Sequence, residues 1–524
     1  MAYAQDQEQL ISEIVVSFIR RSSRDAIEIK RSNTGVMDAI SAEDFGRFPD
    51  GNLAESLARV PGIAIDRSNV EGQTIAVRGF GPEFNLVTLN GRQMPTVPGQ
   101  YGGGRSFNFG DIASPGISSV EVFKGNNLTL PSGGIGSTVN MVTTRPLNIE
   151  GTLRSFSFSA VEDTTSQASG QPIEGAMLFA TNQGRWGFSV SAAYQERTNR
   201  ETGTRESNWI VPEVMALSEG YLRVDSSAPG ITDQRGGAGD YTFYQEPSAY
   251  LIKDNDRTRK NFQATFQTKV TDTLTATIDY THSGVEFESE GIMFGSWLGG
   301  WTTQQAIINE RGVYTDVVVD DRAYDHTVTW GKSKSSNNSL GLNLEWDVSE
   351  TLFIAFDAHD SKANLGGNVF DNSIGVTSDV MTSVRSKNGG SDGIYTFSYD
   401  ENSGPENMYL TNLDLRNDTQ LNEITQYQLK AKWEPDFDLL TSVEAGVSVS
   451  ENRFNRINRQ GTFAPTAQGR WSAADFNDSL FVRTGLGDFM NSFDFTPGTD
   501  YYFDIDPTSA LSAFTALGSG FIDN

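Results

Sequence analysis

Cysteine is absent from the 524 residues, which removes disulfides, thiolate metal ligands and cysteine nucleophiles together. Histidine is nearly so: there are three. His282, His326 and His359 stand apart, with no HExxH or comparable ligand spacing, and read as lone polar-face side chains. Positive charge is also scarce. Lys and Arg number 40 against 67 Asp and Glu, a net charge of −27. Nucleic acid is therefore a poor partner, because a phosphate backbone demands basic patches whose counterion release drives affinity. Long apolar runs are missing as well. Hydrophobic residues make up 37%, mean hydropathy is −0.39, and no window approaches the ~18 consecutive apolar residues of a transmembrane helix. Helical membrane proteins are excluded. Barrel strands escape that test, because they alternate a lipid-facing apolar residue with a lumen-facing polar one. Fifty-two glycines and 11% aromatics suit a turn-rich β protein, and the length exceeds what one hydrophobic core usually organises.

Met1-Ala2-Tyr3-Ala4-Gln5 reads as the tail of a secretory signal, with small residues flanking Tyr3, although the apolar stretch that should precede it is missing. Residues 5 to 35 are polar around one short β-branched run, Ile14-Val15-Val16. A small α/β domain follows. Ser41-Ala-Glu-Asp44 fits a helix-starting capping box, and Leu53, Leu57 and Val60 are spaced as one helix face ahead of Pro61-Gly62. Strands are expected at Ile63 to Asp66, Thr74 to Arg78, Leu86 to Asn90, Val120 to Lys124 and Thr138 to Thr143, punctuated by glycine and proline.

Beyond about residue 150 the period becomes two. Phe156, Phe158 and Ala160 alternate with serines, and Phe262, Ala264 and Phe266 with Gln263, Thr265 and Gln267. The same alternation runs through Phe188 to Tyr194, Leu274 to Tyr280, Leu340 to Trp346, Leu352 to Ala358, Tyr427 to Trp433 and Val443 to Val449. Short and long connections alternate too. Asn182 to Arg185, Thr271 to Thr273, Ser349 to Thr351 and Pro435 to Asp438 read as tight turns, whereas residues 199–258, 284–333 and 365–421 are long polar stretches. Transmembrane barrels show this asymmetry. About nine strands are expected. Single-chain bacterial barrels have even strand numbers and leave no edge in lipid, so a chain ending at Phe521-Ile522-Asp523-Asn524 inside a long loop is expected to be a fragment.

The small domain resembles the plug of a TonB-dependent outer-membrane receptor. The likeness is carried by Asp38 to Asp44, Phe48-Pro49-Asp50, Asn52 to Leu57, Val60-Pro61-Gly62, Ile65-Asp66-Arg67, Ile75-Ala76-Val77-Arg78-Gly79-Phe80, Leu89-Asn90-Gly91-Arg92, Val120 to Gly125 with Glu121 and Lys124, and Gly133-Gly134-Ile135-Gly136-Ser137-Thr138-Val139-Asn140, in the family's order. The leader's Ile14-Val15-Val16-Ser17 resembles the TonB box, an exposed segment able to add as a strand to a partner's sheet edge. What the resemblance implies is a membrane β-barrel of ~22 antiparallel strands with an α/β plug in its lumen. Residues 1–35 would form the leader, 36–147 the plug and 148–524 a partial barrel. The function implied is import of a scarce nutrient across the bacterial outer membrane, energised by the TonB–ExbB–ExbD complex of the inner membrane. The partners are then TonB, outer-membrane lipid and a small ligand, with an oligosaccharide first and a ferric siderophore or other metal chelate second. In the family, charge pairs between plug and barrel hold the plug, and Arg78 is the candidate here; an ordinary surface arginine is the alternative.

Gly133 to Ser137 lacks the lysine and serine or threonine ending of a phosphate-cradling loop, so its glycines are read as structural. No catalytic residue, cofactor or metal is assigned, and the chain is read as a non-enzyme. Asp320, Asp321 and Asp325, or Asp254 and Asp256, read as solvated loop acids rather than calcium ligands. Trp209, Trp297, Trp301 and Trp330 in the long loops are candidates for stacking on a ligand, or for a membrane-interface girdle. A passive porin would have no plug. A secreted β-rich carbohydrate-binding protein or enzyme would need clustered carboxylates and would partition into water.

Overall fold

The computed structural model describes residues 26–31, 33, 35–41, 53–68, 71–97, 105–125, 127–165, 171–205, 209–210, 229–235, 242–245, 249–295, 303–322, 325–368, 371–378, 382–388, 395–398, 408–436, 440–463, 471–472, 480–490 and 497–516. The N-terminal domain contains β1 (Met37–Ser41), the short helix α1 (Leu53–Leu57), β2 (Ile63–Ser68), β3 (Glu71–Val77), β4 (Asn85–Leu89), β5 (Arg92–Gln93), β6 (Ile117–Phe123) and β7 (Ser137–Thr143). A five-stranded sheet runs β1-β6-β7-β4-β5, with β4 and β7 parallel, and β2 and β3 form a separate hairpin. Leu53, Leu57 and Val60 are buried with Ile75, Val120, Val139 and Met141, so the apolar helix face is where the spacing puts it. Residues 42–44 of the capping-box segment lie outside the described residues. Ser41 closes β1, paired with Ser119, because the apolar positions Met37 and Ile40 find a sheet neighbour in β6.

Nine long strands form the wall: β8 (Thr152–Ala160), β9 (Ile173–Asn182), β10 (Trp186–Arg205), β11 (Ala249–Lys269), β12 (Leu274–Gly295), β13 (Asp325–Ser349), β14 (Leu352–Gly367, resumed at Asn372–Ser378), β15 (Met408–Trp433) and β16 (Val443–Phe463). They pair in chain order, every neighbour antiparallel. Among the described residues the edge strands β8 and β16 do not pair with each other. The wall is inside-out relative to a soluble sheet. Ile278 is 52% exposed while its neighbour Asp279 is 3% exposed. Ser189, Gln263, Thr265, Gln267, Gln426 and Gln428 are buried on the inner face, and Phe266, Leu340 and Val447 lie bare on the outer one.

On β13 the outward apolar run from Val348 to Leu340 covers about 27 Å at ~3.4 Å per residue, which fits the ~25 Å apolar band of a barrel. Trp186, Trp346 and Trp433 are exposed at the tight-turn ends of their strands and form an aromatic row along that rim. Among the described residues no helix is long and apolar enough to cross a membrane.

Strands run further into the presumed loops than alternation predicts. Past the membrane band both faces turn polar, as at Lys332 beside Glu286 and Glu288, so pairing continues without a period-two signature. Three connections also contribute to a mixed five-stranded sheet of Ile231–Asp233, Thr303–Ile308, Tyr314–Arg322, Thr382–Asn388 and Tyr395–Ser398. Near the C-terminus, β17 (Phe481–Gly485), β18 (Tyr501–Ile505) and helix α2 (Pro507–Ala516) cover Tyr250, Ile252, Ile292 and Phe294 on the outward face of the far strand ends.

Candidate functional site

The functional geometry lies where the N-terminal domain meets the inner face of the wall. It begins with a two-residue turn. Asn90 and Gly91 have φ 54° and 78°, the left-handed pair of a type I′ hairpin, for which Asn-Gly is the preferred sequence. Asn140 braces the turn: its Oδ1 accepts from Gly91 N at 2.8 Å and from Thr88 Oγ1 at 2.9 Å, and its Nδ2 donates to Glu121 Oε2 at 3.0 Å. Burial pushes the Glu121 carboxyl above its ordinary range, and the Asn140 bond offsets part of that shift. Asn90 Oδ1 accepts from Thr143 N at 2.9 Å. The hairpin is thereby fixed to β7, and Arg92, its first return residue, is aimed at the wall.

Arg92 is 2% exposed. Its Nε and Nη2 donate to Asp357 on β14 at 2.8 and 2.9 Å, and its Nη1 donates to both Asp279 oxygens on β12 at 2.7 Å. A planar guanidinium suits such two-sided, bidentate capture. Removing one partner of a buried pair typically costs about 3–5 kcal/mol, because a charge is left uncompensated. The wall makes room for the group: a Cβ at Gly341 would lie 1.7 Å from Arg92 Nη1.

Among the described residues, three further ion pairs join domain and wall. Glu71 meets Arg257 and, at 2.8 Å, Arg259 of β11, and Arg145 meets Glu345 of β13 at 2.9 Å. Between them, wall amides bond the domain's backbone: Asn337 to Pro95 O at 3.1 Å, Asn422 to Thr96 O at 2.9 Å, Asn261 to Asp111 O at 2.9 Å and Gln428 to Gly91 O at 3.1 Å. Ala113 N and Leu147 N donate to Asn261 and Gln267. The interface is polar throughout, unlike the domain's own core.

The proposed charge contact at Arg78 is corrected. Arg78 is exposed with φ 55°, and its Nη1 donates to Lys124 O at 2.7 Å, within the domain. Its position beside the Gly79 turn directs it along the domain rather than toward the wall. Arg92, the last residue of the Leu89-Asn90-Gly91-Arg92 motif, reaches the wall instead, as do Glu71 and Arg145. Lys124 Nζ holds Asp38 at 2.5 Å and Pro61 O at 2.6 Å. Partial burial opposes the Asp38 charge, yet Lys124 and Lys30 together keep its carboxyl below the usual range. Gly62, Gly79 and Gly133 adopt positive φ, and at Gly134 and Gly136 a Cβ would collide with Ser137 O and Asn85 Oδ1; these glycines shape the domain and touch no wall residue.

Ile14, Val15, Val16 and Ser17 lie outside the described residues, as do Trp297 and Trp301. Trp209 pairs through its backbone with Gln245. Trp330 is half-buried against the cluster under β17 and β18. The histidines stay apart: His282 contacts Asn338, His359 contacts Ser339, and His326 lies against Phe503. Asp254 pairs with Arg200.

A cavity of about 310 Å³ opens on the domain at the Asn90-Gly91 turn, lined by Met37, Asn90, Gly91, Glu121 and Asn140 among others and, from the wall, by Lys430.

Residues 29–138 match the family model of the TonB-dependent receptor plug domain. No curated protein matches the chain. Among solved structures, the siderophore receptor PirA from Acinetobacter baumannii aligns at 11% identity over 84% of this chain and 80% of its own, with a TM-score of 0.28. The alcaligin outer-membrane receptor FauA from Bordetella pertussis aligns at 12% over 83% and 95%, with a TM-score of 0.26, and the copper transporter OprC at 9% over 82% and 76%, with a TM-score of 0.27. The matched segment is the domain seated against the inner face of the antiparallel wall, and that domain belongs to the TonB-dependent receptor plug domains.

Proposed function

We propose that the chain imports a scarce small nutrient across the bacterial outer membrane by letting force applied to its leader shift the plug. The observation that supports this most is the Arg92 site. One buried guanidinium between Asp279 and Asp357, in an interface otherwise made of more exposed or one-sided ion pairs and hydrogen bonds to amides, holds the plug firmly at rest. It also comes apart without unfolding the plug's apolar core. Outer loops take the ligand, the plug registers it, and Ile14 to Ser17 is presented to TonB as an added strand. The TonB–ExbB–ExbD complex supplies the work. Roles for the individual site residues, and the leader, plug and wall as spans 1–35, 36–147 and 148–524, are part of this proposal.

For the ligand, a neutral hydroxyl-rich molecule, an oligosaccharide first, suits the inner face. Both amide atoms of Asn255 and of Gln420, and the amide nitrogen of Asn199, are buried without a hydrogen-bond partner. Each such group costs about 1–3 kcal/mol unless it is bonded, and sugar hydroxyls both donate and accept. A calorimetric titration of the detergent-solubilised receptor with neutral oligosaccharides and with ferric hydroxamate and catecholate chelates tests this. Heat from the sugars is expected; binding of chelates alone would replace the sugar reading with the siderophore one. Val16→Pro, which removes a backbone donor from the candidate TonB box, is expected to abolish uptake and leave binding intact. Normal uptake by that variant refutes the box assignment.

A further inference from the structure

The Arg92 site has more negative than positive charge: one guanidinium serves two buried carboxylates. A further cation that interacts with the site is Lys430 on β15. Position 430 lies opposite Ala355, and Asp357 lies opposite Gln428, so Lys430 is the diagonal neighbour of Asp357 on the same inner face, within reach of a lysine stem. Its Nζ lies 4.0 Å from where a Cβ at Gly91 would be. It is half-buried, lines the cavity beside the plug, and interacts electrostatically with both Asp357 and Arg92. Yet it forms no hydrogen bond or ion pair with any described residue.

This is an unusual place for an unpaired ammonium. Burying a charge without a partner is costly, and Lys430 is attached to the wall while Arg92 is attached to the plug. The two cations therefore part company when the plug moves.

We propose that Lys430 is a standby counter-ion: as Arg92 withdraws, the Lys430 side chain swings out of the cavity and along the inner face to Asp357, and lowers the barrier to release. The inference rests on the reading of Arg92 as the contact that holds the plug. In the resting state Lys430 balances the surplus carboxylate at a distance without forming a contact that must later break. During release it replaces the guanidinium before Asp357 is left bare, and water entering behind the plug serves Asp279. Lys430 is thus a positioning residue for plug release and has no contact with ligand to make.

The test is a double-mutant cycle on receptor in outer-membrane vesicles, with the leader pulled by single-molecule force and the rate of plug release read at fixed load. Lys430→Met is expected to slow release about tenfold while Arg92 is present, and Lys430→Arg to restore the normal rate. In an Arg92→Met background Lys430 already pairs with Asp357 at rest, so removing it is expected to speed release. That inversion of sign is what a merely structural lysine would not give. An effect of Lys430→Met that is absent, or of the same sign in both backgrounds, overturns the proposal. Arg92→Met releasing no faster than the unmodified receptor overturns the reading of the lock itself.

Discussion

At the residue scale, the interface between plug and wall depends on how a few charges are compensated. Arg92 is paired on both sides, whereas Asp111, on the turn after Phe109, has hydrogen bonds but no ion-pair partner among the described residues. Burial pushes its carboxyl up to about 6, with Arg259 and a hydrogen bond from Ser335 offsetting part of the shift, and Asn108 Nδ2 donates to it at 3.2 Å. The sign follows from proton linkage. A carboxyl raised in the folded state binds its proton more tightly there than in the unfolded chain, so folding loses stability as pH rises from about 4 to about 6 and carries the whole penalty above that. Asp111→Asn removes the penalty. The urea midpoint of the plug is expected to rise at pH 7.5 by the equivalent of about 1–3 kcal/mol, with the gain vanishing near pH 4. An equal gain at both pH values contradicts this account of Asp111. None of these pairings is marked locally in the sequence. Arg92 stands in a readable Asn-Gly hairpin motif, but Asp279 and Asp357 are two polar-face residues among dozens, 187 and 265 positions downstream. Arg78 follows the apolar run Ile75 to Val77, yet a positive φ turns it back onto its own domain.

At the element scale, the nine wall strands were legible because the lipid band enforces an apolar outer face. Leu274 to Tyr280, Leu340 to Trp346 and Tyr427 to Trp433 lie in strands that pair in chain order. The strand ends were not legible, since beyond the band the outward face of β12 and β13 turns charged at Glu286, Glu288, Lys332 and Lys334 and the period disappears. The division of β14 into two runs, one ending at Gly367 and the other starting at Asn372, and the short strands of the outer five-stranded sheet likewise leave no period to count. In the plug the reverse holds. The Asn90-Gly91 turn is written in the sequence and does mechanical work, because it fixes the angle at which Arg92 leaves the domain. Gly91→Val places a β-branched side chain at φ 78°, which costs about 1–2 kcal/mol. A lower urea midpoint of that size for the plug is expected, and an unchanged midpoint would show that the turn does not set the position of Arg92.

At the scale of the whole molecule, the chain joins an apolar-cored domain to an inside-out sheet through a polar interface. The plug keeps Leu53, Val77, Val120 and Met141 to itself, and meets the wall through ion pairs and amide bonds that water can replace. That division allows the plug to shift or leave as a unit without exposing its core. It also accounts for a chain that is strongly acidic, poor in apolar runs and still membrane-spanning, since the apolar surface is arranged one residue in two. The absence of cysteine makes the central claim, that import requires the plug to move relative to the wall, directly measurable. Ala113 N donates to Asn261 Oδ1 at 3.0 Å across the interface, so Ala113→Cys with Asn261→Cys installs the chain's single possible disulfide between plug and β11. The decisive measurement is energised uptake of the ligand identified by titration, in cells carrying this pair, before and after reduction. The account predicts no uptake with the bridge closed and recovery on reduction; uptake at the unbridged rate through a closed bridge would contradict it.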